Sequence, residues 1–208
     1  MRIDPVTIAP REPITLDSLK DHLRIDEATE DAYLASLIET ARQTLEVAYN
    51  IAFITRDVHV YLDGWPHDSA ERWWSGQQGG ALGDMVSPRL RIAIPVRPAQ
   101  TLVMVEVFRD EVWQAVPQDG SYLQPGLGPM LYPSAALRSA KSDRATDGIR
   151  LRLAVGFGAD WNAVPAAIQM AVLRLSAHLY AHRGDAPVAA MTASGARQLM
   201  APYRQVTL

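Results

Sequence analysis

The sequence predicts an α+β fold in which helices from the two chain ends pack together, an antiparallel β subdomain is inserted between them, and an extended tail follows at the C-terminus. Three observations predict it. Residues 29–49 and 165–183 carry apolar side chains at helical spacing. Residues 54–62 and 149–155 instead carry them at every second position. Between residues 63 and 148, glycine, proline and polar clusters separate only short apolar runs. The helical stretches therefore flank the strand-forming ones rather than alternating with them.

Residues 1–183 read as a single domain, with helices over 15–49 and 165–183 and a β insertion over 54–156; residues 184–208 read as a tail. A chain of 208 residues can bury roughly 70% of its unfolded surface, enough for a core without covalent staples. It contains no cysteine, which removes disulfides, thiolate metal ligands and thiol nucleophiles. The opening MRIDPVTIAPREP has no basic segment followed by an apolar one, so a signal peptide is not expected. No apolar run reaches the roughly 18–20 residues of a membrane helix. The formal charge is −3 with both signs interspersed, and no basic stripe marks a sequence-independent nucleic-acid binder.

In chain order, Pro5, Pro10 and Pro13 keep residues 3–13 extended. Thr15 is the expected N-cap of a short helix, Leu16 to Leu23. Thr29, with Glu30 and Asp31 after it, is the expected start of a second helix running to about Tyr49. Leu34, Leu37, Ile38, Ala41, Leu45 and Ala48 form its apolar stripe, with Glu39, Gln43 and Glu46 opposite. Asn50 suits the left-handed residue that ends it. Ile54, Val58, Val60 and Leu62 mark a strand that stops at the turn Asp63-Gly64-Trp65-Pro66. Residues 67–88 lack periodicity and read as a long loop carrying Trp73 and Trp74, which either fold back over the sheet or dock on a partner. Strands are expected at Leu90–Ile94, Leu102–Phe108, Val112–Val116, Tyr122–Gln124, Met130–Leu137 and Ile149–Val155.

The segment Pro165 to Arg183 is apolar on two sides. Ile168, Val172, Leu175 and Leu179 fall within about 60° of one another, and Met170, Leu173, Ala177 and Tyr180 form a second stripe roughly opposite. Such a helix sits between two layers, or between its own domain and a neighbouring subunit, which makes Leu173, Ala177 and Tyr180 candidate partner contacts. Pro165 fits the first turn, and Gly184 is the expected stop. Beyond it the tail carries Leu199, Met200, Tyr203 and Val206, with Ser194 able to cap one helical turn before Pro202. An apolar tail of this length either packs back on its domain or inserts into something else.

Catalytic signatures are missing from the pattern. His178 and His182 stand at i, i+4, a spacing that can hold zinc, but Leu179 occupies the place where a metalloprotease has glutamate. Gly156-Phe157-Gly158 is followed by Trp161 where a dinucleotide fingerprint needs its third glycine, so it reads as a turn between strand and helix. Ser194-Gly195 has Thr192 in place of the first glycine of a nucleophile elbow. No catalytic residue, metal ligand set or cofactor is therefore expected. A metal-dependent hydrolase built on His178 and His182, or a DNA-binding module, are the competing readings.

The chain resembles the head–tail connector (adaptor) family of long-tailed phages and phage-derived gene transfer agents. The likeness begins at Ile14-Thr15-Leu16 and Leu19-Lys20-Asp21-His22-Leu23-Arg24-Ile25-Asp26. It continues through Leu34, Leu37-Ile38, Ala41-Arg42, Leu45-Glu46 and Ile54-Thr55. Leu62-Asp63-Gly64-Trp65-Pro66, Ile92, Pro95-Val96-Arg97-Pro98 and Val155-Gly156-Phe157-Gly158 carry it through the middle. Val164-Pro165, Ile168, Ala171, Tyr180, Arg183 and Ala201-Pro202-Tyr203-Arg204 complete it. Asn50 departs from the glycine expected there, and the 67–88 loop is longer than usual.

The resemblance implies a structural, non-enzymatic protein of the particle neck, made in the bacterial cytoplasm. Its copies would form a homo-oligomeric ring, a dodecamer in the particle and a monomer when isolated. The ring would join the portal protein to the stopper and tail proteins and extend the channel, DNA passing through without specific binding and no membrane being involved. It also implies that the tail reaches the portal, with Leu199, Met200, Ala201, Pro202, Tyr203 and Arg204 as contacts. Trp73, Trp74, Leu173, Ala177 and Tyr180 are then candidates for contacts with ring neighbours or other partners, since a closed ring needs two different surfaces on each subunit.

Overall fold

The structure is a computed structural model, and it describes residues 1–7, 9–65 and 91–204. The loop read at 67–88, with Trp73 and Trp74, lies outside the described residues, as do residues 205–208. The chain divides into two compact units. One comprises Met1–Pro5, Val58–Pro95 and Ala99–Ala154; the other comprises Val6–Asp57, Val96–Pro98 and Val155–Leu208. The stretch 1–183 read from the sequence as one domain is thus shared between both units.

The first unit is built on strands. Its five-stranded sheet runs in the order β1 (Arg2–Pro5), β2 (Arg56–Leu62), β8 (Ile149–Val155), β4 (Ala99–Arg109), β5 (Val112–Val116). The marginal pairs β1–β2 and β4–β5 are antiparallel, with Ile3 opposite Val60 and Val107 opposite Gln114. The expected alternation in β8 is observed: Ile149, Leu151, Leu153 and Val155 are buried, while Arg150, Arg152 and Ala154 are half-buried. A three-stranded antiparallel sheet joins β3 (Ile92–Ala93), β7 (Met130–Tyr132) and β6 (Tyr122–Gln124).

The strand expected over Met130–Leu137 stops at Tyr132, because Pro133 and Ser134 redirect the chain into the short helix α3 (Ala135–Ser139). The Ser134 hydroxyl accepts the Leu137 N–H there, satisfying a donor that a helix leaves open. Of the strand expected over Leu90–Ile94, Leu90 lies outside the described residues and Ile92–Ala93 forms β3, while β4 begins earlier than read, at Ala99.

The second unit is helical. It holds α1 (Leu16–Leu23), α2 (Asp31–Tyr49), α4 (Ala166–Ala181), α5 (Pro187–Ala193) and α6 (Ala196–Leu199). Thr15 caps α1 as expected, accepting from Ser18 N–H at 3.1 Å. Thr29 does not cap α2; Glu30 occupies the cap position without a side-chain capping bond to the helix, and the Thr29 hydroxyl turns to Glu27. Asn50 ends α2 in the left-handed region (φ 51°), a conformation asparagine tolerates better than most residues.

α4 is the hub, packing against α1, α2, α5 and α6. Its first stripe, Ile168, Val172, Leu175 and Leu179, is buried with Ala171 against Leu34, Leu37, Ile38, Ala41 and Leu45 of α2 and Leu19 of α1. Residues 184–204 contribute to this core. Ala190, Met191, Ala196 and Met200 are all buried, so a segment too short to form a core alone completes a neighbouring one.

Gly156 is required by the same packing. It sits at φ 130°, and a Cβ there would lie 2.6 Å from the Thr55 backbone. Its N–H donates to Pro98 O, and Thr55 N–H donates to Gly158 O. The Gly156-Phe157-Gly158 turn is therefore a close backbone crossing, in keeping with its reading as a structural turn.

Candidate assembly surfaces

The helical unit brings together the residues singled out on α4 and at the chain's end. On α4's second stripe, Met170 is exposed while Leu173, Ala177 and Tyr180 are half-buried, packed against the core of their own unit. Tyr180 is further engaged. Its hydroxyl donates to Glu30, whose other oxygen accepts from Arg183 at 3.1 Å. The Arg183 guanidinium lies over the Tyr33 and Tyr180 rings, 5.2 and 5.4 Å from their centroids. The Tyr180 hydrogen bond, with the Arg183 charge, holds the Glu30 carboxyl below its ordinary range, and the same bond pushes the Tyr180 phenol up.

Among the residues of the C-terminal segment, Met200 is buried, Leu199 and Tyr203 are half-buried, and Ala201, Pro202 and Arg204 are exposed. Tyr203 stacks edge-on against Phe157, ring centroids 6.3 Å apart. Its carbonyl accepts from Arg97 Nη2 at 2.8 Å, and the same nitrogen donates to Tyr49 O at 2.8 Å. Arg97 thereby ties the C-terminal turn to the last turn of α2. This guanidinium is 5% exposed, its Nε has no partner, and burial lowers its pKa from the ordinary arginine value. In the sequence Arg97 stands out only within Pro95-Val96-Arg97-Pro98, since the carbonyls it binds come from residues far away in the chain.

A second unforeseen feature is a buried ionic cluster. Glu46, placed on the solvent side of α2 by the helical pattern, is 7% exposed. Its carboxylate accepts from Arg42 at 3.0 Å, from both Arg56 Nη atoms at 2.9 and 3.0 Å, and from Phe53 N–H at 2.8 Å. Arg42 also donates to Glu12 at 2.7 Å. Desolvation lowers the Arg42 pKa, but the bonds to Glu12 and Glu46 outweigh it and leave the value raised. The signal available in the sequence was Arg42 and Glu46 at i, i+4 beside an otherwise apolar stripe.

The histidine pair is committed elsewhere. His178 Nε2 lies 2.9 Å from Asp185 Oδ2, and the His178 and His182 rings stack with centroids 4.2 Å apart. Among the described residues, no group of three or more His, Asp or Glu side chains has a metal-binding arrangement. No helix among them is long and apolar enough to cross a membrane.

Residues 13–80 match the family of phage gp6-like head-tail connector proteins. No curated protein matches the chain. Among solved structures, a chain from the neck of an empty gene transfer agent particle at C6 symmetry is similar with a TM-score of 0.76 and 24% identity. A chain from the virion of a native gene transfer agent particle is similar with a TM-score of 0.76 and 22% identity. A chain from the neck of a native particle at C12 symmetry gives 0.73 and 22%. Each similarity covers 100% of this chain and 97% of the other. The α+β fold expected from the sequence is therefore a fold that particle-neck proteins use.

Proposed function

We propose that this chain is a structural adaptor of a particle neck, a ring-forming subunit that joins the portal of a DNA-filled head to the stopper and tail and extends the DNA channel. The observation that carries the reading is the connector-family match over residues 13–80, the stretch that contains α1, α2 and the buried Arg42–Glu46–Arg56 cluster. The fold shared end to end with neck chains of gene transfer agent particles supports it. The C6 and C12 symmetry of those necks supports a ring, with a dodecamer as the expected form in the particle and a monomer as the expected form of the isolated chain.

In this reading the protein works by binding, not by catalysis. It is made in the bacterial cytoplasm and takes its place in the neck during assembly. Of the portal contacts assigned to the C-terminal segment, Ala201, Pro202 and Arg204 can be met without disturbing the fold, whereas Met200 supports them from within. Tyr and Arg are the residue types enriched at interface hot spots, which supports Tyr203 and Arg204 as anchors of the contact.

Co-sedimentation with the portal protein of the same locus tests this. The adaptor reading expects the full chain to pellet with assembled portal rings. Failure to bind at micromolar concentrations of both would overturn it.

A further inference from the structure

The end of α2 and the C-terminal segment enclose a groove of about 320 Å³, lined by Ala48, Tyr49, Val188, Met191, Arg197 and Arg204. All of it lies within the helical unit. Ala48, Val188 and Met191 give it an apolar lining, in which Val188 stands 69% exposed, with Val47 77% exposed on the same turn of α2 as Ala48. Among the described residues its charged lining consists of two arginines, with no carboxylate. Neither guanidinium has an ion pair or side-chain hydrogen bond with the described residues, whereas Arg2, Arg11, Arg42, Arg56, Arg150 and Arg183 each bind a carboxylate.

A third cation adjoins it. Arg97 donates to the carbonyls of Tyr49, which lines the groove, and of Tyr203, which precedes the lining residue Arg204, and its guanidinium is buried with no carboxylate bonded to it among the described residues. Arg97 therefore ties Tyr49 to the C-terminal turn before anything binds, and among the described residues no carboxylate pairs with the arginines of the groove. An apolar pocket with convergent unpaired cations fits an apolar side chain beside an anion.

We infer that this groove receives an acidic segment of the portal protein, an aspartate or glutamate next to an apolar residue, with the carboxylate between Arg197 and Arg204 and the apolar side chain against Val188 and Met191. The inference rests on the adaptor reading and deepens it. The C-terminal segment keeps its place in the core and acts as one wall of a receptor, because leaving would uncover Ala190, Met191, Ala196 and Met200.

The test measures binding of the full chain to assembled portal rings at two salt concentrations, for the wild type, Arg197→Glu/Arg204→Glu, Arg197→Gln/Arg204→Gln and Val188→Asp. All three positions are exposed, so far-UV circular dichroism should be unchanged. The expected result is wild-type binding that weakens with salt, a loss of at least about tenfold for the Glu and Asp variants, and an intermediate loss for the Gln variant. Wild-type binding matched by all variants to within about twofold would overturn the groove and leave the adaptor standing. Unchanged portal binding with loss of salt-sensitive duplex DNA binding would assign the arginines to phosphate and also overturn it. Absence of wild-type binding would remove the adaptor reading itself.

Discussion

Replacing Glu46 by alanine removes the shared acceptor of the buried ionic cluster, and its cost can be worked from the contacts. Arg42, whose side chain is 6% exposed, keeps Glu12, but Arg56 loses the carboxylate it grips with both Nη atoms. Breaking a buried pair by deleting one partner costs about 3–5 kcal/mol; the remaining Glu12 contact places this case near the lower end, about 3 kcal/mol. The Phe53 N–H, buried beneath the cluster, loses its acceptor as well, which adds about 1 kcal/mol. Alanine is a good helix former, so α2 itself suffers no offsetting penalty.

The expected total is therefore about 4 kcal/mol, with Glu46→Gln about 1 kcal/mol milder because its amide oxygen can still accept from Phe53. Denaturant unfolding followed by far-UV circular dichroism measures it, since the long helices lie in this unit. A loss below about 1 kcal/mol for Glu46→Ala would show that the cluster is solvated and refute the reasoning.

Gly156→Ala should destabilise by about 1–3 kcal/mol or prevent folding, because a Cβ at φ 130° would press on the Thr55 backbone; a neutral change in melting temperature would contradict the close crossing. Met200→Ala should cost about 2–5 kcal/mol by opening a cavity beside α4, a value measurable in the same denaturant assay, whereas a surface-like effect would mean the segment is not part of the core. Glu30 titrates below its unfolded value, so its contribution is present above about pH 4.3 and fades as pH falls through the lower folded value. Glu30→Gln should thus be less stable than wild type at pH 7 and indistinguishable from it in strong acid. A gap that persists at low pH would mean that charge is not the source.

Much of this architecture was legible in the residues. The Thr15 cap, the Asn50 stop and the alternation of β8 are local signals, and the structure has all three. So is the inward stripe of α4. What could not be read depends on residues that meet only after folding. Helical spacing puts Glu46 opposite the apolar stripe of α2, and only the arrival of Phe53 and Arg56 buries it. Arg97 gave no sign of clamping Tyr49 to Tyr203, because two backbone carbonyls leave no trace in side-chain identity. Ser134 was a cap signal that the apolar run Met130–Tyr132 concealed. The groove beside the C-terminal segment had no sequence signature, since its described lining residues come from α2, α5, α6 and the residues after it.

The most direct measurement of the central claim is electron microscopy of particles from cells in which this chain alone is deleted. The adaptor account predicts DNA-filled or emptied heads bearing portals, alongside separate tails, with joined particles restored when the chain is supplied in trans. Joined particles at wild-type frequency in the deletion would contradict it.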